Sequence, residues 1–215
     1  MSEIANIIIT VREIVDDNAT SKFVRQEDLT KQVATGNTKF YVDNGPIASM
    51  EVALVDGVVI PSTAYTLDTA KGLITFTVAP ATSVFLTYYW YDFTDTQITD
   101  FAYRGLSQCG LSTGKGNEET DLSVSPEALK TAVSEYSAHY AYSALASKMG
   151  RLFKASAGKK EIDQDNLYNK YKDGAKEYWD KAELTRDSYY KRQGRREAPA
   201  FAEAAVNYPS NQPPR

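Results

Sequence analysis

His139 is the only histidine in the chain, and it stands beside Tyr140 and one helical turn from Tyr136 and Ser143. A histidine next to hydroxyls could act as a base for a nucleophile. No G-x-S-x-G elbow accompanies it, so His139 reads as a structural or interfacial residue. Asp92, Asp95 and Asp100 cluster where a strand pattern gives way to a helix pattern. Paired carboxylates can hold calcium or exchange protons, but these three lack the 1-3-5 spacing and the closing Glu of a calcium loop. Asp95 reads as the first-turn acid of a helix, where the dipole favours negative charge. Asp16–Asp17 reads as a solvated turn after a helix end. Gly110, Gly114, Lys115 and Gly116 resemble a phosphate loop only in part, because Gly116 stands where Ser or Thr must follow the Lys. One cysteine, Cys109, excludes an intrachain disulfide and a Cys-based zinc site.

Two further groups point to protein surfaces. The chain has 15 tyrosines, a residue that gives much contact area at low entropic cost. Tyr88, Tyr89, Trp90 and Tyr91 could form a carbohydrate platform, with core and rim packing as the simpler reading. Tyr136, Tyr140, Tyr171 and Tyr178 fall on helices and are candidates for contacts between subunits. Lys191, Arg192, Arg195 and Arg196 make a basic knot at a helix end. The segment 194–215 then changes character. It has four prolines and spaced apolar anchors, and it cannot bury a core of its own. Arg195, Arg196, Pro199, Phe201, Val206, Tyr208 and Pro209 are therefore candidates for binding a groove on another protein.

The elements that must position these residues follow from periodicity. The 215 residues are 42% hydrophobic and 24% charged, which is ordinary globular composition. The net charge of −4 does not favour nucleic acid, and no apolar run approaches the roughly 18 residues of a membrane span. With no signal-peptide pattern either, the chain reads as a soluble protein made in a reducing cytoplasm. Ile4, Ile7, Ile8, Val11, Ile14 and Val15 give a helical stripe over 2–17, and a short helix is expected at Gln26–Val33. From Thr38 to Tyr91 the period becomes that of strands, with an Asp56–Gly57 hairpin turn. The strand Val84–Tyr91 is apolar on both faces and is expected to be covered on both. Thr94-x-x-Gln97 fits a capping box. Leu111–Asp121 reads as a polar loop. Ser125–Pro126–Glu127 starts a long helix to about Lys154, with Ser125 as its cap. A last helix runs from Gln164 to about Lys191. The fold class is α+β: a helical bundle (1–36 and 93–193), an inserted small antiparallel β-sandwich or barrel (37–92) and an extended tail (194–215).

In order and pattern the chain resembles head–tail adaptor (connector or neck) proteins of tailed bacteriophages. The resemblance rests on Val11–Arg12–Glu13–Ile14–Val15–Asp16–Asp17 near the N-terminus. It continues in the β-module through Phe40–Asn44, Val55–Asp56–Gly57, Tyr65–Asp68, Gly72–Phe76, Ala79–Pro80 and Tyr88–Tyr89. The helix entered through Asp92–Asp95 and two Ala- and Tyr-rich helices complete it. It implies a structural virion protein rather than an enzyme, placed at the head–tail junction, with no cofactor. Such adaptors form a ring, commonly twelve-fold, under the portal protein. Their C-terminal tails dock into the portal, and their lower face meets the next neck or tail-completion protein. DNA passes through the ring without specific binding, and no membrane is involved. A tail- or neck-associated protein whose β-module binds carbohydrate or a host receptor is the alternative.

Overall fold

A computed structural model describes residues 2–17, 22–111, 116–155 and 161–194. The fold is mixed α+β, with five helices and two small antiparallel sheets among these residues. Helix α1 spans Glu3–Ile14. Ser2 caps it by accepting from the Ala5 N–H, and the Glu119 carboxylate accepts from the N–H groups of Glu3 and Ile4 at 2.7 and 2.9 Å. Three of the donors that a helix start leaves open are thus satisfied.

Seven strands follow: β1 (Phe23–Asp28), β2 (Lys39–Tyr41), β3 (Ile47–Val55), β4 (Val58–Val59), β5 (Tyr65–Asp68), β6 (Leu73–Phe76) and β7 (Val84–Trp90). One sheet has the order β1-β7-β3-β4 and the other β2-β6-β5, and neither closes into a barrel. The β3–β4 hairpin turns on Asp56 and Gly57, both at positive φ (51° and 81°), as its two-residue turn requires. The Asp56 carboxylate also accepts from the N–H groups of Ala81, Thr82 and Ser83. Those bonds hold its pKa well below the usual carboxylate range. Both sheets feed one core, with Phe40, Ile74 and Phe76 from one and Ala53, Val84, Leu86 and Tyr88 from the other.

Helices α2 (Asp95–Gln108), α3 (Glu118–Ser123), α4 (Glu127–Ala155) and α5 (Glu161–Arg192) complete the chain. The Thr94/Gln97 capping box is formed in full. α1, α2, α4 and α5 share a second core built on Val11, Ile98, Leu106, Val133, Tyr136 and Ala182. The approach of α2 to α4 is close enough that a Cβ on Gly105 would lie 2.8 Å from the Val133 carbonyl oxygen. Only glycine fits there without movement of the backbone.

Four expectations change. Gln26–Val33 is not a helix: Phe23–Asp28 pairs with β7, and a 3₁₀ turn spans Thr30–Gln32. The β part therefore begins before residue 37. Glu118–Ser123 is helical where a loop was expected. Ser125 spends its hydroxyl on the Asp121 carbonyl of α3 at 2.5 Å. On β7, Val84, Leu86 and Tyr88 are buried, but Phe85, Thr87 and Tyr89 on the other face are only half-covered. No helix of the described residues is long and apolar enough to cross a membrane.

Candidate functional site

The most heavily constructed place in the molecule is where α1, β1, β7, α2 and α4 converge. Its centre is Asp17, which is 0% exposed. α1 stops at Ile14, and Asp16 takes a positive φ of 55° that turns the chain inward. The Asp17 N–H then donates back to the Arg12 carbonyl at 2.7 Å. Four donors meet the Asp17 carboxylate. Arg12 Nη1 (2.7 Å) and the Phe93 N–H (3.3 Å) reach Oδ2; Lys22 Nζ (2.8 Å) and the Asp92 N–H reach Oδ1. A carboxylate has about four acceptor sites, so this one is saturated.

The cations are held as fully. Arg12 Nη2 donates to the Phe93 carbonyl (2.9 Å) and to Asp95 Oδ1 (2.7 Å), and its guanidinium lies over the Tyr91 ring at 3.7 Å. Lys22 bridges Asp17 and Asp92, the second at 2.6 Å, and stands 5.3 Å from the Trp90 ring. Burial pulls the Lys22 ammonium down, but the hydrogen bonds to Asp17 and Asp92 outweigh it and raise its pKa. Lys148 of α4 adds a looser contact to Asp92 at 3.4 Å. Burying charges is expensive unless each is paired and hydrogen-bonded, and here each is. The arrangement joins the β part to the helices as a fixed joint.

The structure places the other candidates as follows. Asp92 and Asp95 belong to the joint, whereas Asp100 lines a groove between α2 and α4. The three do not converge, and among the described residues no set of three His, Cys, Asp or Glu is arranged to hold a metal. Asp17 is not a solvated turn residue but the buried centre of the joint. Arg12 and Lys22 lie five residues to either side of it, but the other two donors, the Asp92 and Phe93 N–H groups, come from more than seventy positions away, and no local pattern marked its burial. His139 sits between the rings of Tyr140 and Trp179 (5.0 and 4.9 Å), and its Nδ1 meets the Ala175 carbonyl at 2.8 Å. A carbonyl only accepts, so Nδ1 carries the proton. Burial lowers the His139 pKa, and this bond offsets part of the drop. The Cys109 thiol is buried and pushed up to about 12 by desolvation.

The four aromatic residues of β7 do not form one surface. Tyr88 is buried and donates to Glu27, Tyr89 packs on Phe23, and Trp90 and Tyr91 face the joint's cations. Of the four helical tyrosines, Tyr136 is buried in the chain's own core against Trp179, which corrects its assignment to contacts between subunits. Its hydroxyl has no hydrogen-bond partner among the described residues. Tyr171 and Tyr178 are half-buried and pack on Tyr142, whose hydroxyl donates to the Ile14 carbonyl at 2.7 Å. Tyr140 is half-buried and lines the α2–α4 groove.

That groove has a volume of about 320 Å³. Phe93, Phe101, Tyr140 and Ala144 give it an apolar part, Gln97, Asp100, Ser143 and Ser147 a polar one, and Arg104 stands on its wall, 5.6 Å from the Tyr140 ring centre. Arg195, Arg196, Pro199, Phe201, Val206, Tyr208 and Pro209 lie outside the described residues, as does most of Gly110–Gly116. No family model matches the chain, and no curated protein matches it.

Proposed function

We propose that the chain is a head–tail adaptor of a tailed bacteriophage, a structural protein of the virion. Copies form a ring, twelve-fold by the resemblance, under the portal. The tails from Arg195 onward dock into the portal, the lower face takes the next neck or tail-completion protein, and DNA passes through unbound. In this reading the helices form the bundle that packs side by side in the ring. The two sheets form a small sandwich carried on it.

The observation that carries the reading is the joint around Asp17. A ring subunit must keep its parts in register while load passes through it. A saturated network linking α1, β1, β7, α2 and α4 supplies that rigidity. Two long helices, of 29 and 32 residues, give the side-by-side packing surface, and the chain leaves α5 toward its tail. The net charge of −4 suits a channel that must not grip DNA.

The test is a pull-down of the full chain, and of a chain ending at Gly194, on the portal ring of the same genome. The reading expects capture of the full chain and loss of capture without the tail. Capture of neither overturns the adaptor reading. Equal capture of both overturns the docking of the tail.

A further inference from the structure

The sheet β1-β7-β3-β4 has one face on the core and one turned away from it. Residues paired across neighbouring strands share a face, so the register assigns the second one. Phe23 pairs with Tyr89, Val52 with Thr87, and Leu54 with both Phe85 and Val59. Phe23 is 46% exposed, Val52 39% and Val59 63%, and Leu54, Phe85 and Tyr89 are half-buried. Among the described residues none of these six packs into either core. An apolar patch of this extent marks a surface that another body covers.

The charges on this face say which body. Thr87 lies at its centre, and both strands beside Thr87 are bulged. Arg25 and Gln26 of β1 together oppose it on one side, and Glu51 and Val52 of β3 on the other. Arg25 and Glu51 are both exposed, two strand spacings or about 10 Å apart, and neither enters an ion pair with a described residue. The acids that follow Arg25 on β1 are already engaged. Glu27 accepts from the Tyr88 hydroxyl and the Asp43 N–H, and Asp28 from the Thr30 N–H.

A half-turn about an axis that runs along β7, between two such faces, lays one copy of the sheet on another. It exchanges the two sides of β7, so Arg25 of each copy comes over Glu51 of the other. Phe85, Thr87 and Tyr89 each meet their own counterpart, which uncharged groups tolerate. An axis across the strands would instead set Arg25 on Arg25 and Glu51 on Glu51. Sheets stack about 10 Å apart, a gap that an arginine and a glutamate reaching from opposite sides can close. A face that complements itself in this way is the mark of a two-fold contact. Four strands about 4.8 Å apart give a footprint of roughly 400 Å² per copy, so two copies bury about 800 Å². That is less than a standard complex buries, and the pairing is correspondingly weak.

We propose that this face is where two copies of the chain pair, sheet on sheet, with Arg25 of each set against Glu51 of the other. The contact closes at two copies, so it is distinct from the side-by-side packing of helices in a ring. It stands apart from the adaptor reading, and its test involves no portal.

The experiment is sedimentation velocity of the full chain between about 5 and 500 µM. The expected result is a reversible monomer–dimer equilibrium in that range. Arg25→Glu and Glu51→Arg should each raise the dissociation constant at least about tenfold, because each reversal places like charges together twice. An equimolar mixture of the two variants should pair again, since one copy then carries two acids and the other two arginines. The double variant Arg25→Glu/Glu51→Arg should pair about as well as the original chain. Restored pairing also shows that the substituted chains fold. A monomer at every concentration overturns the proposal, as does self-association of any order that either single variant retains undiminished. Single variants that lose pairing and do not regain it when mixed overturn it too.

Discussion

Around Asp17 the chain gathers four charges, from Arg12, Asp17, Lys22 and Asp92, and gives each of them charged partners and hydrogen bonds. Around Tyr136 it does the reverse. Tyr136, Trp179, Val133 and Gly105 meet by shape, with the Arg186 guanidinium 5.9 Å from the Tyr136 ring centre, and the Tyr136 hydroxyl has no hydrogen-bond partner among the described residues. The first region fixes direction, because charge-assisted bonds hold a definite geometry. The second tolerates a hydroxyl it cannot satisfy, because close packing on all sides outweighs that cost. Orientation between the two parts of the molecule is therefore set by the polar joint, and cohesion of the helices by the apolar layer.

The contrast can be broken from either side. Asp17→Ala strips two nearly buried cations of their shared partner, and the loss of stability should be about 3–5 kcal/mol by urea unfolding. Gly105→Leu attacks the apolar layer. Its Cβ would sit 2.8 Å from a backbone oxygen, so α2 must shift from α4 at a cost of about 1–3 kcal/mol. Tyr136→Phe removes only the unpartnered hydroxyl. It should change stability by no more than about 0.5 kcal/mol, or raise it, whereas a hydroxyl with a real partner would cost more.

The smallest effect is one of pH. The folded pKa of His139 lies below its ordinary value of 6.5, chiefly through burial. Below about pH 6.5 the unfolded chain binds a proton that the folded chain refuses. The stability this residue confers is thus present above that pH and is lost as pH falls through 6.5 toward the folded pKa. His139→Gln should flatten the stability profile in that window and leave it unchanged above pH 7.5. An identical slope in the variant would show that other groups carry it.

Much of the chain was legible where a local rule decides the outcome. Asp56–Gly57 makes a hairpin turn because few residues accept positive φ twice. Thr94 and Gln97 cap α2 because both partners lie within one turn. β1 was not legible, because Gln26 takes a positive φ of 53° and the register with β7 shifts between Val24 and Glu27. A bulge of that kind breaks the period-2 pattern on which a strand is recognised. α3 is short and acidic, and it is held by what Glu119 does for α1 rather than by its own periodicity. Asp17 was hidden for the same reason: its burial depends on β7, α2 and Lys22 arriving around it.

The claim that the joint makes one body of two parts can be read with the chain's two tryptophans. Trp90 stands at the joint on β7, and Trp179 in the helical core. Single-tryptophan chains, made with Trp90→Phe or Trp179→Phe, report each part separately during urea unfolding. With the joint intact, both should show one coincident transition. With Asp17→Ala added, the Trp90 transition should move to lower urea while that of Trp179 stays close to its place. Transitions already separate in the intact chain, or still coincident without Asp17, would contradict the account.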